Sequence, residues 1–249
     1  MSLKDERDYN MFTNHMRYNK EGTVTDPGPY WRVRFPWVVP KHELVYNKSA
    51  VLGVMNATAK KLAKNPTWRQ VYETQLKDLV SRGFVREIKD QELLENRDRV
   101  TYYIAHQMAI NPGSKTTPVR TVFNCSQVYR GYSLNSSLAL GPENGLNSLH
   151  AILLRFREDV VAAQGDITKQ YYMLRIKPEE EFVQLWVWRF DGEEKIRTFC
   201  MTRLGMGLKP SANFAIIAMK ETSKLEDFKE KYPSPRKLFP KIVMWKSRL

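Results

Sequence analysis

Apolar positions recur at helical spacing along two adjoining stretches of this chain. From Lys48 to Lys64, Val51, Val54, Met55 and Leu62 share a face, and Lys60, Lys61 and Lys64 gather near the C-terminal end, where cations suit the helix dipole. Pro66 opens a second predicted helix through about Arg82, with Val71, Leu76, Leu79 and Val80 turned inwards and Gly83 as its stop. The pattern then changes period. Thr101 to Ile110 reads as a strand, 111–117 as a loop around Pro112 and Gly113, and Pro118 to Asn124 as a returning strand. A helix is predicted at about 145–157, where Leu146, Leu149, Ile152, Leu153 and Phe156 form an apolar stripe. An apolar run ending at Asp166 follows, then a strand from Phe182 to Phe190, a turn at Asp191-Gly192, a paired strand from Lys195 to Arg203 and a helix from about Ser211 to Leu225. Helix, strand, hairpin and helix in this order predict an α+β fold, with helices packed on one face of an antiparallel sheet.

The first 47 residues are less regular. Residues 1–25 are polar and charged with little periodicity and read as a mobile or partner-dependent lead-in. Residues 26–42 carry Pro27, Pro29, Pro36 and Pro40 beside Trp31 and Trp37, which excludes a regular helix and predicts an extended strap laid across a domain surface.

Composition narrows the partners. Forty Lys and Arg against 27 Asp and Glu give a formal charge of +13, a bias towards polyanions with nucleic acid first and an acidic membrane surface second. Neither a hydrophobic span, an amphipathic lipid-binding helix nor a signal segment is read in the chain, so intracellular residence, cytoplasmic or nuclear, is expected without a membrane partner. Cys125 and Cys200 are the only cysteines, lie far apart in apolar settings and are expected as buried free thiols. His15, His42, His106 and His150 share no ligand spacing with them, which argues against structural zinc.

The candidate chemistry centres on Asp166. A carboxylate at the tip of a buried strand is costly unless a cation sits beside it, and magnesium takes carboxylate oxygens together with substrate phosphates. The plainer alternative is an Asp capping the turn that follows. Lys115 near the hairpin tip and Arg120 on the return strand together suit a triphosphate, although each taken singly reads more readily as a solvated surface charge. In Arg203-Leu204-Gly205-Met206-Gly207-Leu208-Lys209-Pro210-Ser211, two glycines and a proline precede a helix N-terminus, a turn that lets backbone approach a ligand and aims amides at an anion. Tyr171 stands where a ring would close over a sugar bound next to Asp166.

These segments resemble, in order, the reverse transcriptase region of BEL/Pao long-terminal-repeat retrotransposon polyproteins. The resemblance is carried by Tyr102-Tyr103-Ile104-Ala105-His106-Gln107, by Thr117-Pro118-Val119-Arg120-Thr121-Val122-Phe123-Asn124-Cys125-Ser126, by Ser133-Leu134-Asn135 with Leu140-Gly141-Pro142, and by Ile152-Leu153-Leu154-Arg155-Phe156-Arg157. It continues through Gly165-Asp166-Ile167-Thr168-Lys169-Gln170-Tyr171-Tyr172, Gln184-Leu185-Trp186-Val187-Trp188-Arg189 and the 203–214 turn. It implies a polymerase-like palm with a fingers subdomain and no thumb: fingers over about 48–145, palm over about 146–226, and a divergent tail at 227–249. By resemblance, Asp166 and the Ile167 carbonyl would be magnesium ligands, with Asp166 also catalytic. Arg120, Lys115, Tyr171, Gly207, Lys209 and Ser211 would contact the incoming deoxynucleoside triphosphate, and an RNA or DNA template-primer would be the partner. Met206 stands where many related polymerases place a polar residue.

The family completes its metal site with a hairpin carrying Tyr-Val-Asp-Asp or Tyr-Val-Asp-Asn, and here no aspartate follows Asp227. Two-metal phosphoryl transfer needs carboxylates on both sides of the ions. The expectation is therefore a truncated RNA-directed DNA polymerase, inactive as this chain. The alternatives are a catalytically dead nucleic-acid-binding remnant or domesticated interaction protein, and a pseudogene product that does not fold stably. Glu143 and the Glu179-Glu180-Glu181 run are the nearest substitute carboxylates by sequence, the run reading as a solvated turn after Pro178.

Overall fold

Ser2 starts ordered structure earlier than the sequence predicts. The computed structural model describes residues 2–23, 27–111, 113, 118–143, 149–157 and 167–231. Helix α1 (Leu3–Asn14) opens where the Ser2 hydroxyl accepts from the Asp5 amide, with Asp5 and Glu6 placed to suit the dipole. Phe12 is fully buried, its ring centroid 4.5 Å from that of Phe214. One well-placed aromatic and a cap hold a helix whose remaining residues carry little amphipathic signal, because tertiary packing outweighs intrinsic pattern. The expected mobile lead-in over 1–25 is thereby corrected for its described part.

The chain next forms a hairpin, β1 (Met16–Asn19) with β2 (Tyr30–Val33), so the predicted strap contains a true strand. Beyond β2 it runs extended. Phe35 is buried, and the Glu180 carboxylate accepts from the Phe35 amide at 2.6 Å and the Trp37 indole at 3.1 Å. The Val38 amide donates to the Ser137 carbonyl and the Ala139 amide to the Pro36 carbonyl, which bind the strap to the body of the protein.

Helices α2 (Lys48–Leu62) and α3 (Pro66–Ser81) match their predicted spans. The Asn65 side chain caps α3 by accepting from the Trp68 amide, and Gly83 ends the turn with a φ of +66°. Strand β3 (Val85–Ile88) and the short α4 (Asp90–Glu95) lead to the hairpin β4 (Ala105–Ile110) and β5 (Val119–Asn124), in register from Ala105–Asn124 to Ile110–Val119. Helix α5 (Leu149–Phe156) exposes Leu153 and Phe156, both at 48 %. These two members of the expected apolar stripe are exposed. Leu146, and the side chains of Leu149 and Ile152, lie outside what is described.

After β6 (Arg175–Ile176), residues Pro178–Gln184 form a short 3-10 run. The strand expected from Phe182 is confined to β7 (Leu185–Trp188), which pairs antiparallel with β8 (Arg197–Met201); β8 pairs in turn with β3. The expected solvated Glu179–Glu181 run is also corrected. Glu180 is buried on the strap, and Glu181 bonds Arg86 at 2.9 Å. Partners on the strap and on β3 draw the consecutive Glu180 and Glu181 inwards, while Glu179 is exposed. Helices α6 (Ser211–Thr222) and α7 (Glu226–Lys231) follow.

The molecule is mixed α+β, with two three-stranded sheets, β1-β2-β6 and β3-β8-β7, and the β4-β5 ribbon. One hydrophobic cluster runs from Phe12 to Ala218. At its centre Trp186 and Trp188 of β7 surround His106 of β4, which also stacks on Tyr72 of α3. Cys125 and Cys200 are buried free thiols, and burial pushes the Cys125 thiol up to about 12. Among the described residues no helix is long and apolar enough to cross a membrane.

Candidate functional site

The segment after Asp166 is built into the fold by its aromatic neighbours. Asp166 and Lys115 themselves lie outside the described residues. Ile167 is 45 % exposed. Lys169 takes a left-handed backbone, φ +55°, and turns the chain into a 3-10 run over Gln170–Met173 while pairing with Asp78 of α3. Tyr172 is buried flat on Phe84, centroids 5.0 Å apart with an interplanar angle of 6°. The adjacent Tyr171 is half-buried against the core, and Gln170 donates to the Met219 sulfur of α6 at 2.9 Å. Tyr171 therefore sits on a rigid base.

The 203–211 turn packs directly beside this segment. The Leu204 amide donates to the Leu174 carbonyl at 2.9 Å, and Arg175 pairs with Arg203 as a β-bridge. On its other side the turn presses against β5. Gly207 has φ +90°, and a Cβ there would come within 2.5 Å of the Phe123 carbonyl oxygen. Asn135 locks the arrangement: its side chain donates to the Gly207 carbonyl and to Ser126, both at 2.8 Å, and accepts from the Lys209 amide at 2.8 Å. Ser211 is buried, with its hydroxyl donating to the Gly205 carbonyl and its amide to the Leu208 carbonyl. The polar atoms of Ser211 and the Lys209 amide are thus engaged within the turn, while the Lys209 side chain stands on the exposed surface.

Arg120 is exposed on β5, opposite Ala109. The Gln75 side chain of α3 grips the β5 backbone on both sides of it, donating to the Val119 carbonyl at 2.8 Å and accepting from the Thr121 amide at 3.0 Å. A side-chain amide thereby completes the strand edge as a further strand would, and fixes the outward direction of Arg120.

Three segments read separately in the sequence are therefore contiguous: β5 with Arg120, the 170–174 turn with Tyr171, and the 203–211 turn between them. Two of the residues that hold them, Gln75 and Asn135, escape sequence reading as functional supports. An isolated Gln on a helix carries no such signal, although the Ser133-Leu134-Asn135 match points at the second.

A magnesium site here depends on Asp166 and the Ile167 carbonyl. Among the described residues no group of three or more His, Cys, Asp or Glu side chains converges to hold a metal. Of the substitute carboxylates, Glu143 pairs with Lys4 at 2.6 Å, Glu180 holds the strap and Glu181 holds Arg86, while Glu179 is exposed.

Compared with known proteins, the chain matches no family model and no curated sequence.

Proposed function

We propose that this chain is the fingers-and-palm portion of an RNA-directed DNA polymerase of the BEL/Pao retrotransposon type, and that these 249 residues by themselves bind template-primer without extending it. The observation that carries this reading is the contiguity of β5, the 170–174 turn and the 203–211 turn. Those are the segments whose order in the sequence resembles that family, and the 203–211 turn touches β5 through Gly207 and Phe123 and the 170–174 turn through Leu204 and Leu174. Magnesium at Asp166 and the Ile167 carbonyl would supply Lewis-acid stabilisation of a nucleotide's phosphates. In this arrangement Arg120 engages phosphate oxygens as a bidentate donor, Tyr171 borders the sugar, and the close Gly207–Phe123 contact keeps that wall of the cleft rigid.

The excess of cations favours nucleic acid through counterion release, and no primer extension is expected where only one carboxylate faces the metal position. The test is binding of a labelled RNA–DNA template-primer by fluorescence anisotropy over a salt series, with primer extension measured in magnesium on the same samples. Salt-sensitive binding that weakens in Arg120→Ala, without extension, is expected. Affinity that ignores salt and Arg120 would overturn the binding reading. Extension that vanishes in Asp166→Ala would overturn the inactive one.

A further inference from the structure

Alternate residues of a strand point to opposite faces, and the β1-β2-β6 sheet divides its side chains sharply by this rule. Val33 and Ile176 are buried, and Met16 and Trp31 pack beside them on the core. The opposite face is cationic. Arg17 lies directly across from Arg32, and Arg32 directly across from Arg175, so three arginines form a row over three strands. Two residues further on, Arg34 and Lys177 continue the same face, their amides fixed by the His15 carbonyl at 2.8 Å and the Val33 carbonyl at 3.0 Å. The β-bridge between Arg175 and Arg203 joins this row to the 203–211 turn.

A groove of about 550 Å³ opens here, in which Arg17, Arg32, Arg34 and Lys177 meet a single carboxylate, Glu179. Several other surface cations are neutralised: Arg82 by Asp78, Lys195 by Asp90, Arg197 by Glu87 and Glu193. Arg17, Arg34 and Lys177 form no ion pair among the described residues. The Tyr30 ring supports two guanidinium groups, with Arg175 at 3.8 Å and Arg32 at 5.2 Å from its centroid. Burial holds the guanidinium pKa of Arg175 and of Arg203 below the usual range, and Arg203 adds to the effect at Arg175. Strands lie ~4.8 Å apart, well inside the Debye length of ~8 Å at physiological ionic strength, so the cations of this face add to one another's attraction for an anion laid along it.

We infer that this arginine face is a phosphate-backbone track, carrying a nucleic acid strand from the 203–211 turn across the β1-β2-β6 sheet. The inference rests on the nucleic-acid reading above and adds to it a second, separate contact surface. A regular row of forks on a rigid sheet matches a repeating phosphate chain, and phosphate contacts position a strand without reading its sequence.

The experiment uses the full chain and the triple variant Arg17→Ala/Arg34→Ala/Lys177→Ala, whose side chains make no hydrogen bond in the fold. A labelled oligouridylate is titrated in a salt series beside Arg120→Ala, and phosphatidylserine vesicles and polyglutamate serve as rival polyanions. The triple variant is expected to bind the oligonucleotide at least tenfold more weakly at low salt, with the log–log salt slope reduced by about 2, since each single-strand phosphate contact contributes ~0.7. Restoring charge with Arg17→Lys/Arg34→Lys should recover most of the slope. An unchanged affinity and slope in the triple variant, while Arg120→Ala weakens binding, would overturn the track and leave the cleft reading standing. No oligonucleotide binding by the unaltered chain would overturn both. Loss of vesicle or polyglutamate binding alone, with oligonucleotide binding intact, would assign the face to that other partner and overturn the inference.

Discussion

The Gly207 Cα lies so close to the Phe123 carbonyl that any side chain at 207 collides with the β5 backbone, at 2.5 Å for a Cβ. Backbone rather than a flexible side chain is the obstacle, and the φ of +90° adds strain of its own. Gly207→Ala should cost about 2–3 kcal/mol, read from the urea midpoint, and should weaken template-primer binding by moving the turn off β5. Gly192 is the control: its φ is +77° but a Cβ there meets open space, so Gly192→Ala should cost about 1 kcal/mol and leave binding alone. Equal losses in the two variants would mean that the β5 contact contributes nothing.

His106 supplies a pH signature of the folded core. It is buried among Phe123, Trp186 and Trp188, with Nδ1 accepting from the Tyr72 hydroxyl at 2.6 Å and Nε2–H donating to the Val187 carbonyl at 3.0 Å. Both ring nitrogens are thus satisfied by the neutral form. Burial lowers the pKa to about 4, against about 6.5 in the unfolded chain. Above pH 6.5 the ring is neutral in both states and the full stability is present. As pH falls from 6.5 towards 4 the unfolded chain takes up a proton that the native state refuses, so stability drops by about 3 kcal/mol. Urea unfolding at a series of pH values should show this slope, and His106→Gln, though less stable at neutral pH, should lose it over that window.

The strap hangs on Glu180. Removing its carboxylate orphans the Phe35 amide and the Trp37 indole, at about 1–3 kcal/mol for each buried donor. Glu180→Ala should therefore lower stability by several kcal/mol and open residues 34–39 to proteolysis, with Glu180→Gln intermediate. Burial raises the carboxyl pKa above its ordinary value, despite the two donors. That component of stability is fully present at low pH and is lost as pH rises through the folded value, a trend that Glu180→Gln should abolish. Unchanged protease resistance in Glu180→Ala would show that the strap is held by its aromatics alone.

The parts legible in the sequence are those where local pattern and burial agree. Helices α2 and α3, the β4-β5 hairpin and α6 have apolar patterns that say the same thing as their packing, and α3 adds its Asn65 cap and Gly83 stop. Helix α1 was illegible because its anchors are distant in sequence: Phe12 packs on Phe214 and the Tyr9 hydroxyl donates to Glu221, contacts between opposite ends of the described chain. The inward turn of Glu180 was hidden for the same reason, since its partners lie on the distant strap. The arginine face had a signal, Trp31-Arg32-Val33-Arg34-Phe35 with strict alternation, which the surrounding prolines mask. Of the candidate site, the three contiguous segments were readable as motifs. Their mutual packing was not, because Gln75 and Asn135 act through backbone groups that no residue pattern encodes.

Arg120 separates phosphate binding from folding. It is exposed, and the grip of Gln75 on β5 uses only backbone atoms. Arg120→Ala should leave thermal stability within about 0.5 kcal/mol of the unaltered chain while weakening template-primer binding several-fold and lowering the salt slope by about one contact. Gln75→Ala should weaken binding as well, but together with a stability loss of about 1–2 kcal/mol, because it strips two strand-edge partners. An Arg120→Ala protein that unfolds early would place the residue in the structure rather than at the ligand.

The central claim is that β5, the 170–174 turn and the 203–211 turn together form the wall against which nucleic acid lies. Photo-cross-linking of a template-primer carrying 5-iodouridine, with the adducts mapped by peptide mass spectrometry, tests this most directly. The account predicts adducts at Tyr171 and within 203–211 and 119–124, lost under high salt and reduced in Arg120→Ala. Adducts confined to α2, α3 or α7, with none in these three segments, would contradict it.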